Sequence, residues 1–445
     1  MNEKLEKFNE KLKKSKIAII GLGVSNIPLL DYLHNMNCDV TIFSDKKIEV
    51  DTSKYNYPIL EDGLSELVGF DIIFRSPGCL PTREEIKMEI ARGCYVTTEV
   101  QEVIKLTPSK VIGVTGSDGK TTTTTIIDLA LRSSGYNTFL GGNIGTPLFT
   151  KIKDMTKDDI VVLELSSFQL MDMDVSPDIS VITNITPNHL DKHTDMNEYI
   201  EAKCNIYKNK NGILVLNADN EVTKLLKSER QIRYFSSHIQ TNCFYTLDNY
   251  IWFKDKKILD ATKLKLRGVH NYENVCACLC AIYDMIDLDK AIAALKEFNG
   301  VEHRIEFIKE INGVKWYNDS VSSSPTRTIA GLNSFNEDII LIAGGYDKNL
   351  DYTPLASPIL KKVSKLILFG QTSDKIYNAV IKEKENQNVA IEIYREKTLA
   401  DVVYRANLIA KSGEVVLFSP ASASFDMFKN FADRGNQFKD LVNKI

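Results

Sequence analysis

Short apolar runs alternate with stretches of helical periodicity along most of the chain. The first such runs are KIAII at 16–20, VTIFSD at 40–45 and DIIF at 71–74. Apolar strands that alternate with helices are typical of a parallel sheet with crossover helices, so we predict the α/β fold class. At the start of the chain, Leu5, Phe8 and Leu12 recur at helical spacing and predict a short amphipathic helix.

The same alternation continues and divides the chain into three segments. In the middle of the chain we predict strands at 159–167, 178–186 and 212–219, a hairpin at 242–255 and a closing helix from Asn271. Towards the end we predict strands at 338–345, 365–370, 389–394 and 414–421. Because 445 residues are too many for one core, we predict three α/β domains in series, at 1–107, 108–300 and 301–445.

The most specific motif is KVIGVTGSDGKTTTTT at 110–125, in which an apolar strand leads through a glycine turn into a helix. Such a junction directs backbone N–H groups and the positive end of the helix dipole at an anion, typically phosphate. We expect Lys120 to reach the outer phosphates of a nucleoside triphosphate and the hydroxyl of Thr121 to bind its Mg²⁺. Val114 stands where a strict P-loop has glycine, so the spacing is the tighter TGxxGKT. The alternative is a glycine-rich turn without a ligand.

Composition is that of an ordinary globular protein. Hydrophobic residues make up 43% and charged residues 26%, and the net charge of −4 argues against a polyanion-binding surface. We expect no nucleic-acid partner, no membrane insertion and a cytoplasmic location, because no segment resembles a signal peptide or a membrane span. The cysteines contain no CxxC, and Cys276, Cys278 and Cys280 lie in an apolar helical stretch, so we expect buried, reduced thiols.

Polar residues at strand ends are the candidate catalytic groups. Glu164 ends the apolar strand VVLEL, where it could hold Mg²⁺ directly or through water, or could simply reach solvent. His189 and His193 are four residues apart, but Leu190 stands where the zinc motif HExxH has glutamate. His189 therefore fits a Mg²⁺-nucleotide site better than a zinc site. On composition alone, Lys203 is a solvated helix lysine.

Two further features each allow two interpretations. His303 and Arg304 could form an interdomain ion pair, or a cation there could neutralise a transferring phosphoryl group. A GxG follows the first strand and Asp45 lies about twenty residues later, as in a dinucleotide-binding domain, but Asn26 replaces the third glycine. NAD is therefore only weakly indicated, and a Rossmann-like domain for the diphosphate of another nucleotide stays open.

Further motifs occur in order along nearly the whole chain: TGSDGKTTT (115–123), GGNIGTPL (141–148), LELSSFQL (163–170), NITPNHLDKH (184–193), EYIEAKCNIY (198–207), GVHNYENVCA (268–277), HRIEFI (303–308), NDSVSSSPT (318–326), GGYDK (344–348) and SPASASFDMFKNFADRGNQF (419–438). In this order they resemble the motifs of the Mur ligases, the ATP-dependent amino-acid ligases of peptidoglycan precursor synthesis. The last motif most resembles the members that attach D-glutamate to UDP-N-acetylmuramoyl-L-alanine.

The resemblance implies Rossmann-like first and third domains and a central P-loop-type ATPase domain with a mostly parallel sheet. The UDP-sugar would contact Val24, Ser25, Asp45, Ser76, Gly78 and, at its muramoyl-alanine end, Asn143. ATP would contact Gly116, Ser117, Asp118, Gly119, Lys120, Thr121, Thr122, Arg304, Asp319 and, at its adenine, Asn274. D-glutamate would be surrounded by Ser323, Lys348, Ser424, Phe425 and Phe431.

The resemblance also implies the chemistry. The catalytic residues would be Lys120, Glu164, His189 and Lys203. Two Mg²⁺ ions would be held by Thr121, Glu164, His189 and Lys203, the last of them carbamylated so that its new carboxylate supports a metal. ATP would phosphorylate the alanyl carboxylate, giving ADP and an acyl phosphate, and the amine of D-glutamate would then displace phosphate.

Some positions depart from the family, and some alternatives stay open. Several relatives have lysine at Val321 and an Asp-Gly pair at Tyr346-Asp347, so the amino-acid pocket can differ in detail, and Ser44 rather than Asp45 could be the ribose contact. The alternatives are folylpolyglutamate synthase or another ligase of the superfamily, a catalytically silent nucleotide-binding subunit, and an NAD-dependent Rossmann protein. We expect a monomer whose partners are small-molecule substrates.

Overall fold

The computed structural model describes residues 2–45, 48, 51–61, 63–189, 192–266, 268–387 and 391–445. The chain forms two compact units. The first comprises the chain up to Leu264 together with Val269–Glu297, and the second comprises Lys265–Gly268 and Phe298–Ile445. The predicted α/β fold class is confirmed, whereas the three-domain boundaries at 107/108 and 300/301 stay a prediction.

The first unit begins with a parallel sheet whose described strands have the order β3-β2-β1-β4-β5. These strands are β1 (Lys16–Ile20), β2 (Asp39–Ser44), β3 (Ile59–Glu61), β4 (Ile72–Arg75) and β5 (Tyr95–Thr97). The helices around them are α1 (Glu3–Lys14), α2 (Asn26–Asn35), α3 (Glu84–Ala91) and α4 (Glu99–Leu106). The predicted N-terminal helix is confirmed as α1, and it buries Leu5, Phe8 and Leu12.

A second parallel sheet follows in the same unit, with the strand order β11-β10-β9-β6-β8-β7 among the described residues. Its strands are β6 (Lys110–Thr115), β7 (Thr138–Gly142), β8 (Ile160–Glu164), β9 (Ile179–Ile182), β10 (Ile213–Asn217) and β11 (Gln231–Phe235). Its helices are α5 (Lys120–Ser133), α6 (Ser167–Leu170), α7 (Met196–Cys204), α8 (Val269–Ile282) and α9 (Leu288–Glu297). A small antiparallel sheet contains β12 (Phe244–Leu247), β13 (Tyr250–Phe253) and β14 (Lys256–Asp260).

One hydrophobic cluster extends across both parallel sheets of the first unit. Phe149 packs edge-on against Phe8 of α1 and Phe74 of β4, with ring centroids 6.3 and 6.4 Å apart. Burial of such aromatic rings is a large stabilising contribution, so the two sheets are held together by a shared core. In α8, Cys276, Cys278 and Cys280 are fully buried free thiols, as predicted.

The second unit contains a mixed sheet whose described strands have the order β15-β16-β20-β17-β18-β19. Only the β15–β16 hairpin is antiparallel among the strand pairs that the described residues form in this sheet. The strands are β15 (Glu306–Ile311), β16 (Val314–Asn318), β17 (Ile339–Gly344), β18 (Val363–Phe369), β19 (Glu392–Arg395) and β20 (Val415–Phe418). The helices are α10 (Pro325–Leu332), α11 (Thr353–Lys362), α12 (Ser373–Gln387), α13 (Leu399–Ile409) and α14 (Phe431–Asn443).

The strand orders create three topological switch points. They lie at β1, β6 and β17. Each of these strands has a parallel neighbour on both sides, and the chain reaches the two neighbours by connections that run in opposite directions along the sheet. Open α/β sheets bind ligands beyond the carboxyl ends of the strands at such points. The loops that begin at Gly21, Gly116 and Gly345 therefore mark the expected ligand sites. No helix in the described ranges is long and apolar enough to cross a membrane.

Candidate functional site

Two glycines shape the loop between β6 and α5. The backbone of Gly116 has φ +152°, and a Cβ there would lie 1.9 Å from the hydroxyl oxygen of Thr183. Gly119 has φ +78°, and its Cβ would lie 2.4 Å from the side-chain oxygen of Asn274. Residues with a Cβ are strained in this conformation and would also collide with these neighbours. The glycines noted in the sequence are therefore required by the shape of the loop.

The end of β9 holds this loop through a set of hydrogen bonds. The N–H groups of Ser117 and Asp118 donate to the backbone and side-chain oxygens of Asn184, both at 2.9 Å. The hydroxyl of Thr183 donates to the carbonyl of Asp118 at 2.6 Å. Thr121 and Thr122 follow in the first turn of α5, where backbone N–H groups lack intrahelical partners. The loop is thus fixed from one side, and a helix N-terminus follows it.

Two lysines converge on the carbonyl of Gly116. Lys120 Nζ donates to that carbonyl at 2.9 Å and to the carbonyl of Ser117 at 2.8 Å. Lys203 Nζ donates to the same Gly116 oxygen at 2.8 Å and to the hydroxyl of Thr115 at 3.4 Å. Two cations that share one acceptor repel each other, which favours a bound anion or the loss of one charge.

Lys203 is buried, with 1% of its surface exposed, so the expectation of a solvated lysine from composition alone is wrong. Burial, reinforced by the charge of Lys120, lowers the pKa of the Lys203 ammonium to about 6. The ring of Tyr199, one helical turn earlier on α7, lies 4.6 Å from its Nζ. Tyr199 also contacts the phosphate loop, because its hydroxyl lies 3.0 Å from the Ser117 hydroxyl. Sequence reasoning missed Tyr199, although its spacing from Lys203 places the two on one helix face.

Glu164 lies at the carboxyl end of β8, next to β6, and only 2% of its surface is exposed. Its Oε1 accepts a hydrogen bond of 2.8 Å from the amide of Asn143, so the structure brings together these two predicted residues. Its Oε2 is buried and has no hydrogen-bond partner among the described residues. A buried carboxylate oxygen without a donor is costly unless a cation pairs with it, so Glu164 fits the predicted role of a Mg²⁺ ligand.

The two histidines that sequence analysis paired have different surroundings. His189 is exposed, has a positive φ of 55° and lies 5.3 Å from the ring of Phe168. His193 is buried, stacks on the same Phe168 ring at 5.1 Å and shares a hydrogen bond of 3.0 Å with Ser167. The exposed ring of His189 suits a ligand-binding role, whereas the buried ring of His193 packs against Phe168.

Asn274 of α8 lies against the start of α5. Its side-chain oxygen accepts from the hydroxyl of Thr123 at 3.2 Å, and its amide donates to Asn271 at 3.1 Å. Asn274 therefore belongs to the surroundings of the phosphate loop, and its predicted contact with adenine stays a prediction.

Apart from Asn143, which follows β7, the predicted UDP-sugar residues lie beyond the carboxyl ends of β1, β2 and β4. Val24 is 76% exposed, and Ser25 immediately precedes α2 as its N-cap. The N–H of Ser76 donates to the carbonyl of Ile20 at 2.9 Å, which places the loop that also contains Gly78 beside the glycine loop. Asp45 accepts a hydrogen bond of 2.6 Å from Arg83, a cation that sequence reasoning missed.

In the second unit, Asp319 is buried at the end of β16. It accepts hydrogen bonds from the Ser419 hydroxyl at 2.7 Å and from the Ile305 N–H at 3.3 Å. Burial raises the pKa of its carboxyl to about 6, although the neighbouring Arg304 charge acts in the opposite direction. His303 is buried and shares a hydrogen bond of 2.9 Å with the side-chain amide of Asn318, which also belongs to the second unit.

The predicted amino-acid residues lie on loops that follow β16, β17 and β20. Ser424 is buried, whereas Phe425 is 60% exposed and its ring lies 5.4 Å from Lys348 Nζ. Phe431 begins α14 and contacts the His303 ring at 6.0 Å. Ser323 is half-buried just before α10. The structure thus gathers these side chains at one edge of the sheet, the edge where ligands bind in open α/β folds.

Another group of potential metal ligands lies beyond β10 and β11. One donor atom each from Asp219, His238 and Glu273 lies within 4.8 Å of the others. Ser237 is hydrogen-bonded to both carboxylates, at 3.1 and 2.7 Å, so a protein group already occupies their oxygens. This group was not found in the sequence, and we assign it no role.

Comparisons with known families identify the class of protein. The Mur ligase middle domain matches residues 114–282, and the Mur ligase, glutamate ligase domain, matches residues 303–422. These matches cover the phosphate loop, Glu164, Lys203 and Asp319. The chain belongs to the Mur ligase family.

Curated relatives narrow the similarity further. The chain is 43% identical to the UDP-N-acetylmuramoylalanine--D-glutamate ligase of Clostridium perfringens, and 100% of both chains is covered. The ligase of the same name from Clostridium novyi is 41% identical over the full length of both chains. The sequence-based resemblance to Mur ligases that add D-glutamate is therefore confirmed at the level of similarity.

Solved structures confirm the fold. The UDP-N-acetylmuramate-alanine ligase of Thermotoga maritima superposes with a TM-score of 0.61 at 19% identity and covers 97% of this chain and 99% of its own. The MurF ligase of the same organism, determined in complex with ADP, gives a TM-score of 0.54 at 18% identity, with 98% and 96% covered. At these identities the likeness concerns the fold alone.

Proposed function

We propose that this protein is an ATP-dependent ligase that joins D-glutamate to UDP-N-acetylmuramoyl-L-alanine in peptidoglycan precursor synthesis. The observation that carries the proposal is the arrangement of Lys120, Glu164 and Lys203 around one phosphate loop, in a chain 43% identical throughout to ligases of that name. A protein that only bound a nucleotide would need the loop but not the buried acid and the second lysine. The full-length similarity also disfavours folylpolyglutamate synthase and an NAD-dependent protein.

The donor set at the phosphate loop fits Mg²⁺. We propose that Thr121 and Glu164 hold one ion and that His189 and carbamylated Lys203 hold a second. Thr121, Glu164 and the carbamate would offer the oxygen ligands that Mg²⁺ prefers, and the ions would supply charge neutralisation for the phosphates. A buried amine with a lowered pKa is largely uncharged at neutral pH, which is the form that reacts with CO₂. Carbamylation would also remove the repulsion between Lys203 and Lys120.

The residues of the chain then perform distinct tasks. Lys120 and the first N–H groups of α5 bind the triphosphate and stabilise charge as the γ-phosphoryl group moves to the alanyl carboxylate. Asn143, fixed on Glu164, orients that carboxylate near the loop. The amine of D-glutamate attacks the resulting acyl phosphate, the C–N bond forms, and the bond from the acyl carbon to the phosphate oxygen breaks. Lys348 pairs with a carboxylate of D-glutamate.

The experiment is a phosphate-release assay with ATP, Mg²⁺, UDP-N-acetylmuramoyl-L-alanine and a panel of amino acids offered one at a time. We expect D-glutamate alone to support turnover, and Lys120→Ala to abolish it, because the variant lacks the cation that binds the outer phosphates. Lys208→Ala, which changes a lysine outside the predicted site, serves as the matched control. Turnover with L-glutamate and a folate, or full activity of Lys120→Ala, would contradict the proposal.

A further inference from the structure

Arg434 of α14 is a fully buried cation in the second unit. Its Nε donates to the hydroxyl of Ser320 at 3.0 Å, and its Nη2 donates to the carbonyl of Ser320 at 2.8 Å. Its Nη1 donates to the carbonyls of Ser422 and Ala423 at 3.0 and 2.8 Å. One guanidinium therefore bonds to the backbone of two loops that are distant in sequence.

These loops carry the residues predicted to bind the amino acid. Ser320 lies between Asp319 and Ser323 after β16, and Ala423 precedes Ser424 after β20. The Ser320 hydroxyl in turn donates to the carbonyl of Phe431 at 2.8 Å. Arg434 thus connects, directly or through one hydroxyl, the segments that contain Ser323, Ser424 and Phe431.

The loop after β17 is part of the same arrangement. The N–H of Tyr346 donates to the carbonyl of Ala423 at 2.9 Å, and a Cβ at Gly345 would lie 3.1 Å from Arg434 Nη1. This loop continues to Lys348. Burial lowers the pKa of Arg434 to about 10, with Asp426 and Asp319 acting in the opposite direction, so the side chain remains charged at neutral pH.

We propose that Arg434 is a positioning residue, which fixes the loops after β16, β17 and β20 in the arrangement that binds the incoming amino acid and does not touch that substrate itself. The inference rests on the proposed function, because it takes these loops to be the amino-acid site. The planar guanidinium is required, since donors that point in several fixed directions reach two loops at once. A lysine ammonium is a single point charge and cannot reproduce this geometry.

The test compares the full-length protein with Arg434→Lys by steady-state kinetics. We expect the KM for D-glutamate to rise by about tenfold or more, because at least one charged hydrogen bond to each loop is weakened, while the KM for the UDP-sugar, whose predicted contacts lie in the first unit, changes by less than about twofold. Lys365→Met is the matched control, since it removes a buried cation paired with Glu414 at the amino ends of β18 and β20 of the same sheet. This control should lower the unfolding temperature and leave the KM for D-glutamate unchanged.

Hydrogen exchange without substrates provides a second readout, which does not depend on the proposed reaction. Arg434→Lys should accelerate exchange in 319–323 and 420–426 and leave 115–123 unchanged. If Arg434→Lys does not fold, Ser320→Ala decides the matter, because it keeps the arginine and removes its link to Phe431; it should raise the same KM by a smaller factor. Unchanged exchange in both loops overturns the inference. A lower kcat with an unchanged KM for D-glutamate overturns it as well. Wild-type protein that is inactive with D-glutamate would overturn the proposed function instead.

Discussion

At the residue scale, the proposed chemistry depends most on Lys203. Composition alone predicted a solvated side chain, but only 1% of its surface is exposed. The fold places it under the phosphate loop, beside Lys120 and Tyr199, where an ammonium is unfavourable. Only the family resemblance had assigned it a role.

We predict that Lys203 is carbamylated in solution. Because its pKa is lowered to about 6, the amine is protonated below that pH and uncharged above it, so the carbamate should increase as the pH rises through 6 towards 8 at constant dissolved CO₂. The measurement is carbon-13 NMR with labelled bicarbonate, and Lys203→Arg, which keeps the charge, is the control. A carbamate signal of equal size in both proteins would contradict the prediction.

Other residues of the site were accessible to sequence reasoning to different degrees. Lys120 was identified because it belongs to a local pattern of strand, glycine turn and helix. Glu164 was identified because it ends an apolar strand. Tyr199, Arg83 and Arg434 were missed because each has a hydrogen-bond partner far away in the sequence, namely Ser117, Asp45 and Ser320. Contacts of that kind depend on the tertiary fold and leave no local periodic signal.

At the scale of elements, the buried parallel strands were predictable because they are continuous apolar runs. β7 and β11 were missed, since both lie at the edges of their sheet, β7 ends in two glycines and β11 alternates apolar and polar residues. The β15–β16 hairpin was also missed, although Asn312 and Gly313, both with positive φ, form a sequence signal for a tight turn.

The junction of β6 with α5 gives a prediction at this scale. Gly119→Ala should weaken ATP binding by about tenfold or more, because the new methyl group would displace Asn274 and deform the loop. Gly69→Ala is a matched control: its φ of +77° is nearly the same, and nothing lies within 4 Å of its Cβ. Both variants carry the backbone strain, of about 1–2 kcal/mol, but only the first has the collision. Titration with a fluorescent ATP analogue measures the difference, and equal affinities would show that the collision is unimportant.

At the scale of the whole molecule, the predicted ATP contacts are divided between the two compact units. Lys120 and Asn274 belong to the first unit, and Arg304 and Asp319 belong to the second.

We predict that Arg304→Ala weakens the binding of an ATP analogue with Mg²⁺ by about tenfold or more, because it removes one of the proposed ATP contacts. Titration with a fluorescent ATP analogue measures the change. An affinity equal to that of the unaltered protein would contradict the proposed role of Arg304.

The most direct test of the proposed reaction follows the oxygen atoms. With UDP-N-acetylmuramoyl-L-alanine labelled with oxygen-18 in its alanyl carboxylate, ATP and D-glutamate, the labelled oxygen attacks the γ-phosphorus and leaves with phosphate when the amine displaces it. We predict one labelled oxygen in each inorganic phosphate released, detected by mass spectrometry, and the remaining label in the new amide. Phosphate without label, formed at the same rate as the amide, would contradict the acyl-phosphate mechanism.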